Sequence, residues 1–106
     1  MTDPAYVVSP SDAAAGIEAG WQVVDVRLDE ERVEARIAGS VHIQLADLGS
    51  RASEINTDGP VLIYCKVGAR SSMAVDALRI AGIDARNLDG GITAWKAAGL
   101  PVQTGA

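Results

Sequence analysis

The chain has no phenylalanine, one histidine, one cysteine and only four aromatic residues, Tyr6, Trp21, Tyr64 and Trp95, in 106 positions. Each scarcity excludes something. A lone cysteine cannot close an internal disulfide, so nothing points to an oxidising compartment. One histidine and one cysteine cannot supply the three or four soft ligands of an ordinary zinc site. With so few rings, the core must be built from valine, isoleucine, leucine and alanine. Basic residues are also outnumbered, nine against 14 acidic ones. The resulting net charge of −5 argues against nucleic acid and against an anionic membrane surface as partners. No apolar run approaches the roughly 20 residues of a membrane span. The opening Met1-Thr2-Asp3-Pro4 lacks the apolar core of a signal peptide. These exclusions lead to the expectation of a cytoplasmic protein. What is abundant is aliphatic: 48% hydrophobic with 22% charged residues. That balance folds rather than stays disordered, and the length suits one domain spanning 1–106.

The pattern alternates between strands and helices. A short strand is predicted over 5–8. Ser9 can cap a helix that Pro10 opens and Asp12 supports, running to Ala19 and stopped by Gly20. A second strand over 21–26 brings Asp25 and Arg27 to its C-terminal end, where open α/β sheets bind ligands. Asp25 reads there as a positioning residue, capping a turn or pairing with an arginine. A charged helix over 29–36 follows, with Arg32 and Arg36 near glutamates one turn away. His42 lies in a short strand over 41–43, on the opposite face from Val41 and Ile43. It reads as a satisfied or solvent-facing residue rather than as a base for a cysteine. A weak helical pattern covers 45–55, and Asn56-Thr57-Asp58-Gly59-Pro60 is a turn. Val61-Leu62-Ile63-Tyr64 shows no polar alternation, as befits a parallel strand buried on both faces at the sheet centre. The clearest helix spans 71–81, and Met73 reads as packing. A fifth strand over 83–88 leads through Asp89-Gly90-Gly91 to a last helix over 92–98. Two glycines are too few for a Rossmann or Walker phosphate loop, and a tight turn explains them as well. The sum is a small α/β domain with a mostly parallel five-stranded sheet covered on both faces.

Everything chemical converges on Tyr64-Cys65-Lys66-Val67-Gly68-Ala69-Arg70-Ser71-Ser72. A strand, a short glycine-containing loop and a helix start make an anion cradle of inward-pointing N–H groups. Gly68 lets the backbone curl. A free thiol titrates near about 8.5, and helix N-termini with nearby Lys or Arg lower this to roughly 3.5–7.5. A shift of about two units corresponds to roughly 2.7 kcal/mol in favour of the charged form. The loop amides, the helix and the flanking Lys66 and Arg70 are positioned to supply it. An inert buried cysteine is the alternative, but Lys-Val-Gly-Ala-Arg-Ser after a strand end is poor packing chemistry.

These residues resemble the rhodanese family, in the form of a single rhodanese domain. Val23-Val24-Asp25-Val26-Arg27 resembles its first signature. Tyr64 to Ser71 resembles its active-site loop. Leu88-Asp89-Gly90-Gly91-Ile92-Thr93-Ala94-Trp95, continuing to Gly99-Leu100-Pro101-Val102, resembles its closing signature. Together they cover about 5–102. One departure stands out: the family usually has Gly-His-Ile before its turn, and this chain has Ala35-Arg36-Ile37, so Arg36 is a candidate for extra positive charge near the loop. The resemblance implies a three-layer rhodanese-like fold and sulfur transfer without metal or organic cofactor. Cys65 would be nucleophile and sulfur carrier. Lys66, Val67, Gly68, Ala69 and Arg70 would form the persulfide-binding loop, with Lys66 and Arg70 attracting the donor. Asp25 and Arg27 would support it. The implied partners are a small anionic sulfur donor such as thiosulfate and an acceptor that is cyanide or a thiol, including a protein thiol. Three other readings remain open: a phosphatase or arsenate reductase relative, whose loop is one residue longer than the six positions from Cys65 to Arg70; a non-catalytic binding or regulatory module; and a protein-to-protein sulfur relay.

Overall fold

The computed structural model describes residues 2–105. Strands β1 (Val7–Val8), β2 (Gln22–Asp25), β3 (Val41–His42), β4 (Val61–Tyr64) and β5 (Ala85–Leu88) form one sheet in the order β1-β5-β4-β2-β3. Every neighbouring pair is parallel. The helices are α1 (Pro10–Glu18), α2 (Asp29–Glu34), α3 (Leu48–Arg51), α4 (Ala69–Ile80) and α5 (Gly91–Ala97). The α/β class, the parallel sheet and the central place of the apolar strand are as the sequence predicts. All four residues of β4 are buried.

Strand alternation divides the interior into two cores and so makes three layers. Val23, Leu62, Tyr64 and Leu88 point to one face, against Ala13 of α1 and Ile92 and Trp95 of α5. Val24, Ile63, Cys65 and Ala85 point to the other, against Ala74, Val75 and Leu78 of α4 and Leu48 of α3. Cys65 is therefore delivered to the α4 side by the same period-two rule that buries its neighbours.

Several boundaries differ from the sequence reading, each for a local reason. Residues 4–6 form a 3-10 turn, closed by the Tyr6 N–H to the Asp3 carbonyl at 2.9 Å, which leaves only Val7–Val8 as strand. The segment 45–55 is broken into 3-10, α and 3-10 pieces. Ile83 closes the turn that follows α4, its N–H donating to the Leu78 carbonyl at 3.0 Å, so β5 begins at Ala85. Most consequentially, α4 starts at Ala69 rather than Ser71.

Because the sheet is parallel, the C-terminal ends of its strands lie on one edge, and Cys65 emerges there from the central strand. The last helix is fastened beneath it. The Ile92 and Thr93 N–H groups donate to the carbonyls of Cys65 and Lys66 at 2.9 and 3.1 Å. Gly90 and Gly91 permit this approach with φ of 72° and 61°. A Cβ on Gly91 would lie 2.5 Å from the Cys65 carbonyl oxygen and closer still to that of Lys66. The glycine pair thus brings a helix N-terminus onto the backbone of the cysteine loop. Gly91→Ala should cost about 2 kcal/mol or more through strain and displacement, lowering the melting temperature by roughly 10 °C. An unchanged thermal melt would show that this approach is not tight.

Candidate functional site

Cys65 lies just past β4 and is 1% exposed. Its Sγ accepts the Gly68 N–H at 3.1 Å and the Ser71 N–H at 3.4 Å, and Ser71 Oγ stands 3.3 Å away. Gly68 makes this possible. Its φ of 110° turns the chain back so that α4 begins at the next residue, and the Ser72 N–H closes the first turn on the Gly68 carbonyl at 3.0 Å. Helix N–H groups that have no intrahelical partner are thereby aimed at sulfur. Ala69 and Arg70 are consequently helical residues rather than loop. Burial pushes the Cys65 thiol pKa up. Hydrogen-bond contacts with the Ser71 hydroxyl and the amides of Ser71, Gly68 and Val67 act the other way and prevail, holding it below the ordinary cysteine value.

The two flanking cations have separate fates. Lys66 is exposed and has no ion pair among the described residues. Arg70 is not free to attract an anion on its own, as its sequence position suggests. Its two terminal nitrogens clamp the Glu31 carboxylate at 2.7 and 2.8 Å, joining α4 to α2. Glu31 is in turn oriented by the Leu28 N–H at 3.1 Å. The hydrogen bond from Arg70 leads the causes that lower the Glu31 pKa to about 2.

Asp25 and Arg27 form a buried ion pair at the end of β2, bonded to the Tyr64 hydroxyl next to the cysteine. Asp25 is fully buried. One oxygen takes the backbone N–H and Nε of Arg27, both at 2.9 Å; the other takes an Arg27 terminal nitrogen at 2.8 Å, the Tyr64 hydroxyl at 2.9 Å and Arg32 at 3.2 Å. Burial pushes its pKa up, but the hydrogen bonds and charge of Arg27 with the Tyr64 hydroxyl bring it below the ordinary value. Arg27 also donates to the carbonyl of Ala35 at 2.7 Å. The positioning role read for Asp25 fits this geometry.

Other basic residues lie elsewhere than expected. Arg32 serves Asp25 and Ser40 rather than a helix glutamate. Arg36 donates to the carbonyls of Arg32 and Gly105, and its backbone pairs with Gln103, so it is committed to the C-terminal segment instead of the cysteine loop. His42 is a satisfied strand residue, with Nε2 2.6 Å from the Arg27 carbonyl and Nδ1 3.3 Å from Asp29. Among the described residues, no cluster of three or more His, Cys, Asp or Glu could hold a metal ion.

Three residues of the site escaped the sequence reading. Ser71 follows Arg70 directly, and its hydroxyl reaches the sulfur. Asn87 is a buried polar residue in an inner strand, a signal that a polar partner awaits it; that partner is Ser71, at 2.6 Å. Glu31 had no distinguishing signal among Asp29, Glu30 and Glu34.

A parallel sheet that delivers one cysteine into a loop of converging amides defines a scaffold for thiolate chemistry. The family model described as a rhodanese-like domain matches residues 9–98, and the chain belongs to that family. It is similar to the HTH-type transcriptional regulator Rv0324 of Mycobacterium tuberculosis, 42% identical over 110 residues, covering 100% of this chain and 48% of that protein. It is also similar to a sulfurtransferase of Allochromatium vinosum, 38% identical over 81 residues and covering 76% of each. The chain thus spans about half the length of the regulator-named relative. The crystal structure of a rhodanese-related protein from Thermoplasma volcanium superimposes with a TM-score of 0.87 at 30% identity, covering 92% of this chain and 96% of that one. At the level of the family, these relatives support sulfur transfer.

Two outcomes follow from the site. Gly68→Ala, strained at a φ of 110°, should displace its N–H from sulfur and raise the Cys65 pKa by about one unit, the worth of one hydrogen bond to a charged group. The thiolate absorbance of the single cysteine against pH measures this, and an unmoved curve would mean that the Gly68 amide does not hold the sulfur's charge. Glu31 has a depressed pKa. The stability it contributes is therefore present above the ordinary glutamate value of 4.5 and is lost as pH falls toward about 2. Glu31→Gln, which keeps the Leu28 cap acceptor, should flatten that part of the acid limb in urea denaturation. An identical limb would mean the pair with Arg70 contributes nothing.

Proposed function

We propose that the protein is a sulfurtransferase that carries sulfane sulfur on Cys65 from an anionic donor such as thiosulfate to a thiophilic acceptor. The Cys65 thiolate attacks the outer sulfur of thiosulfate. A new S–S bond forms, the old one breaks with its electron pair on sulfite, and a Cys65 persulfide anion remains. Charge balances, one thiolate and a dianion giving one persulfide anion and a dianion. Cyanide or a thiol, including a protein thiol, then takes the outer sulfur and restores the thiolate, a two-step covalent scheme.

The observation that carries this reading is the convergence of the Gly68 and Ser71 amides on a buried, isolated cysteine sulfur. The same cradle of Lys66, Val67, Gly68, Ala69 and Arg70 suits the charge of a persulfide. Six positions from Cys65 to Arg70 favour a sulfur-sized group over a phosphoryl group. Lys66 supplies attraction for an anion, while Arg70 would do so only in exchange with Glu31. Asp25 and Arg27 hold the adjoining backbone. A reducing cytoplasm suits a lone reactive thiol.

A second reading comes from the regulator-named relative, whose match covers the whole of this chain. On that reading the domain is a regulatory module and Cys65 need not turn over. Intact mass after thiosulfate treatment separates the two. One added sulfur, removed by cyanide with release of thiocyanate and absent in Cys65→Ser, is the expected result. Loading by no sulfane donor would favour the non-catalytic module.

A further inference from the structure

The Ser71 hydroxyl has one proton and three acceptors around it. Oγ lies 2.6 Å from Asn87 Oδ1, 3.2 Å from the Gly68 carbonyl and 3.3 Å from Cys65 Sγ. Ser71 is fully buried and Asn87 nearly so. The Asn87 amide is oriented by its Nδ2, which donates to the Gly68 carbonyl at 3.2 Å. Turned over, it would set two amide oxygens against each other. The oxygen therefore faces Ser71, and the shortest contact takes the proton.

What the sulfur then meets from Ser71 is an oxygen lone pair. A protonated Cys65 satisfies that lone pair, in a chain running from S–H through Oγ–H to Oδ1. A thiolate does not. To be stabilised by Ser71 it must draw the hydroxyl round, leaving the buried Asn87 oxygen without a donor. In a persulfide the inner sulfur bears no proton and little charge, so the hydroxyl can stay on Asn87.

We propose that Asn87 is a positioning residue that holds the Ser71 hydroxyl away from Cys65 and so biases the sulfur toward its uncharged bonded forms, thiol and loaded inner sulfur, over the free thiolate. The loaded-state part rests on the sulfurtransferase reading; the thiol part does not. The charged groups around Cys65 are Lys66 beside it, Arg70 clamped by Glu31 from α4 and α2, and Asp25 with Arg27 and Arg32 at the end of β2. Asp89 follows β5 and Lys96 lies on α5. A neutral replacement of Asn87 leaves all of them unchanged. The Gly68 carbonyl would keep the Ser72 N–H at 3.0 Å as its donor.

The test is the pH dependence of thiolate absorbance, recorded without any sulfur donor. Asn87→Leu, close in size, should lower the Cys65 pKa by about one unit, because the freed hydroxyl turns to sulfur. In a Ser71→Ala background the same replacement should lower nothing. An unchanged or raised pKa, or an equal drop without the Ser71 hydroxyl, overturns the proposal. Asn87→Ala repeats the measurement with less bulk. On the unaltered protein, the nuclear magnetic resonance signal of the Ser71 hydroxyl proton should show proximity to Asn87 in the thiol form. Proximity to Cys65 instead would overturn the proposal whatever the variants do. At a fixed thiosulfate-to-sulfite ratio, Asn87→Leu should also hold a smaller persulfide fraction. Failure of the unaltered protein to load would count against sulfur transfer while leaving the titration result intact.

Discussion

Cys65 is held from two directions, its sulfur by the amides that open one helix and its backbone carbonyl by another helix. From one side come the amides of α4, which reach Sγ only because Gly68 reverses the chain at a left-handed φ. From the other come the amides of α5, which take the carbonyls of Cys65 and Lys66 and so keep the start of the loop from rotating. The peptide groups on either side of the cysteine are thus committed in opposite senses, carbonyls to α5 and later N–H groups to sulfur. A fixed arrangement of donors costs little reorganisation when charge appears on sulfur.

That arrangement stands on a buried ion cluster. Asp25 is fully enclosed and would be unfavourable as an isolated charge. Two arginines and the Tyr64 hydroxyl answer every side of it, so no described buried side-chain polar atom is left without a partner. Tyr64 also takes the Ile37 N–H and immediately precedes Cys65. The cluster therefore ties the end of β2 and the turn before β3 to the strand that carries the nucleophile candidate. Paired buried charges of this kind are weak sources of net stability, but breaking one partner is costly. Their evident effect here is geometric.

The pairing of Arg70 with Glu31 changes how the mouth of the loop is understood. Two loop cations look, in sequence, like two attractors for an anion. In space one of them is already neutralised by a bidentate carboxylate, and the other, Lys66, extends into solvent. The sulfur's lowered pKa accordingly owes more to oriented hydrogen bonds than to nearby side-chain charge.

Much of this protein was legible in the chain itself. The uninterrupted apolar run at 61–64 marked the sheet centre, because only a strand covered on both faces can omit polar alternation. The order of strands and helices implied the parallel sheet, and the spacing from Cys65 through Gly68 to Arg70 marked the cradle, because local backbone conformation follows from local residue type. What the chain could not disclose were partnerships across sequence distance. Glu31 meets Arg70, Asn87 meets Ser71, and Arg36 turns to the C-terminal segment, each through the way separate elements pack. Amphipathic pattern records which face is buried. It does not record which polar atom on one element will find which on another, and that pairing decides where the charges and protons around Cys65 reside.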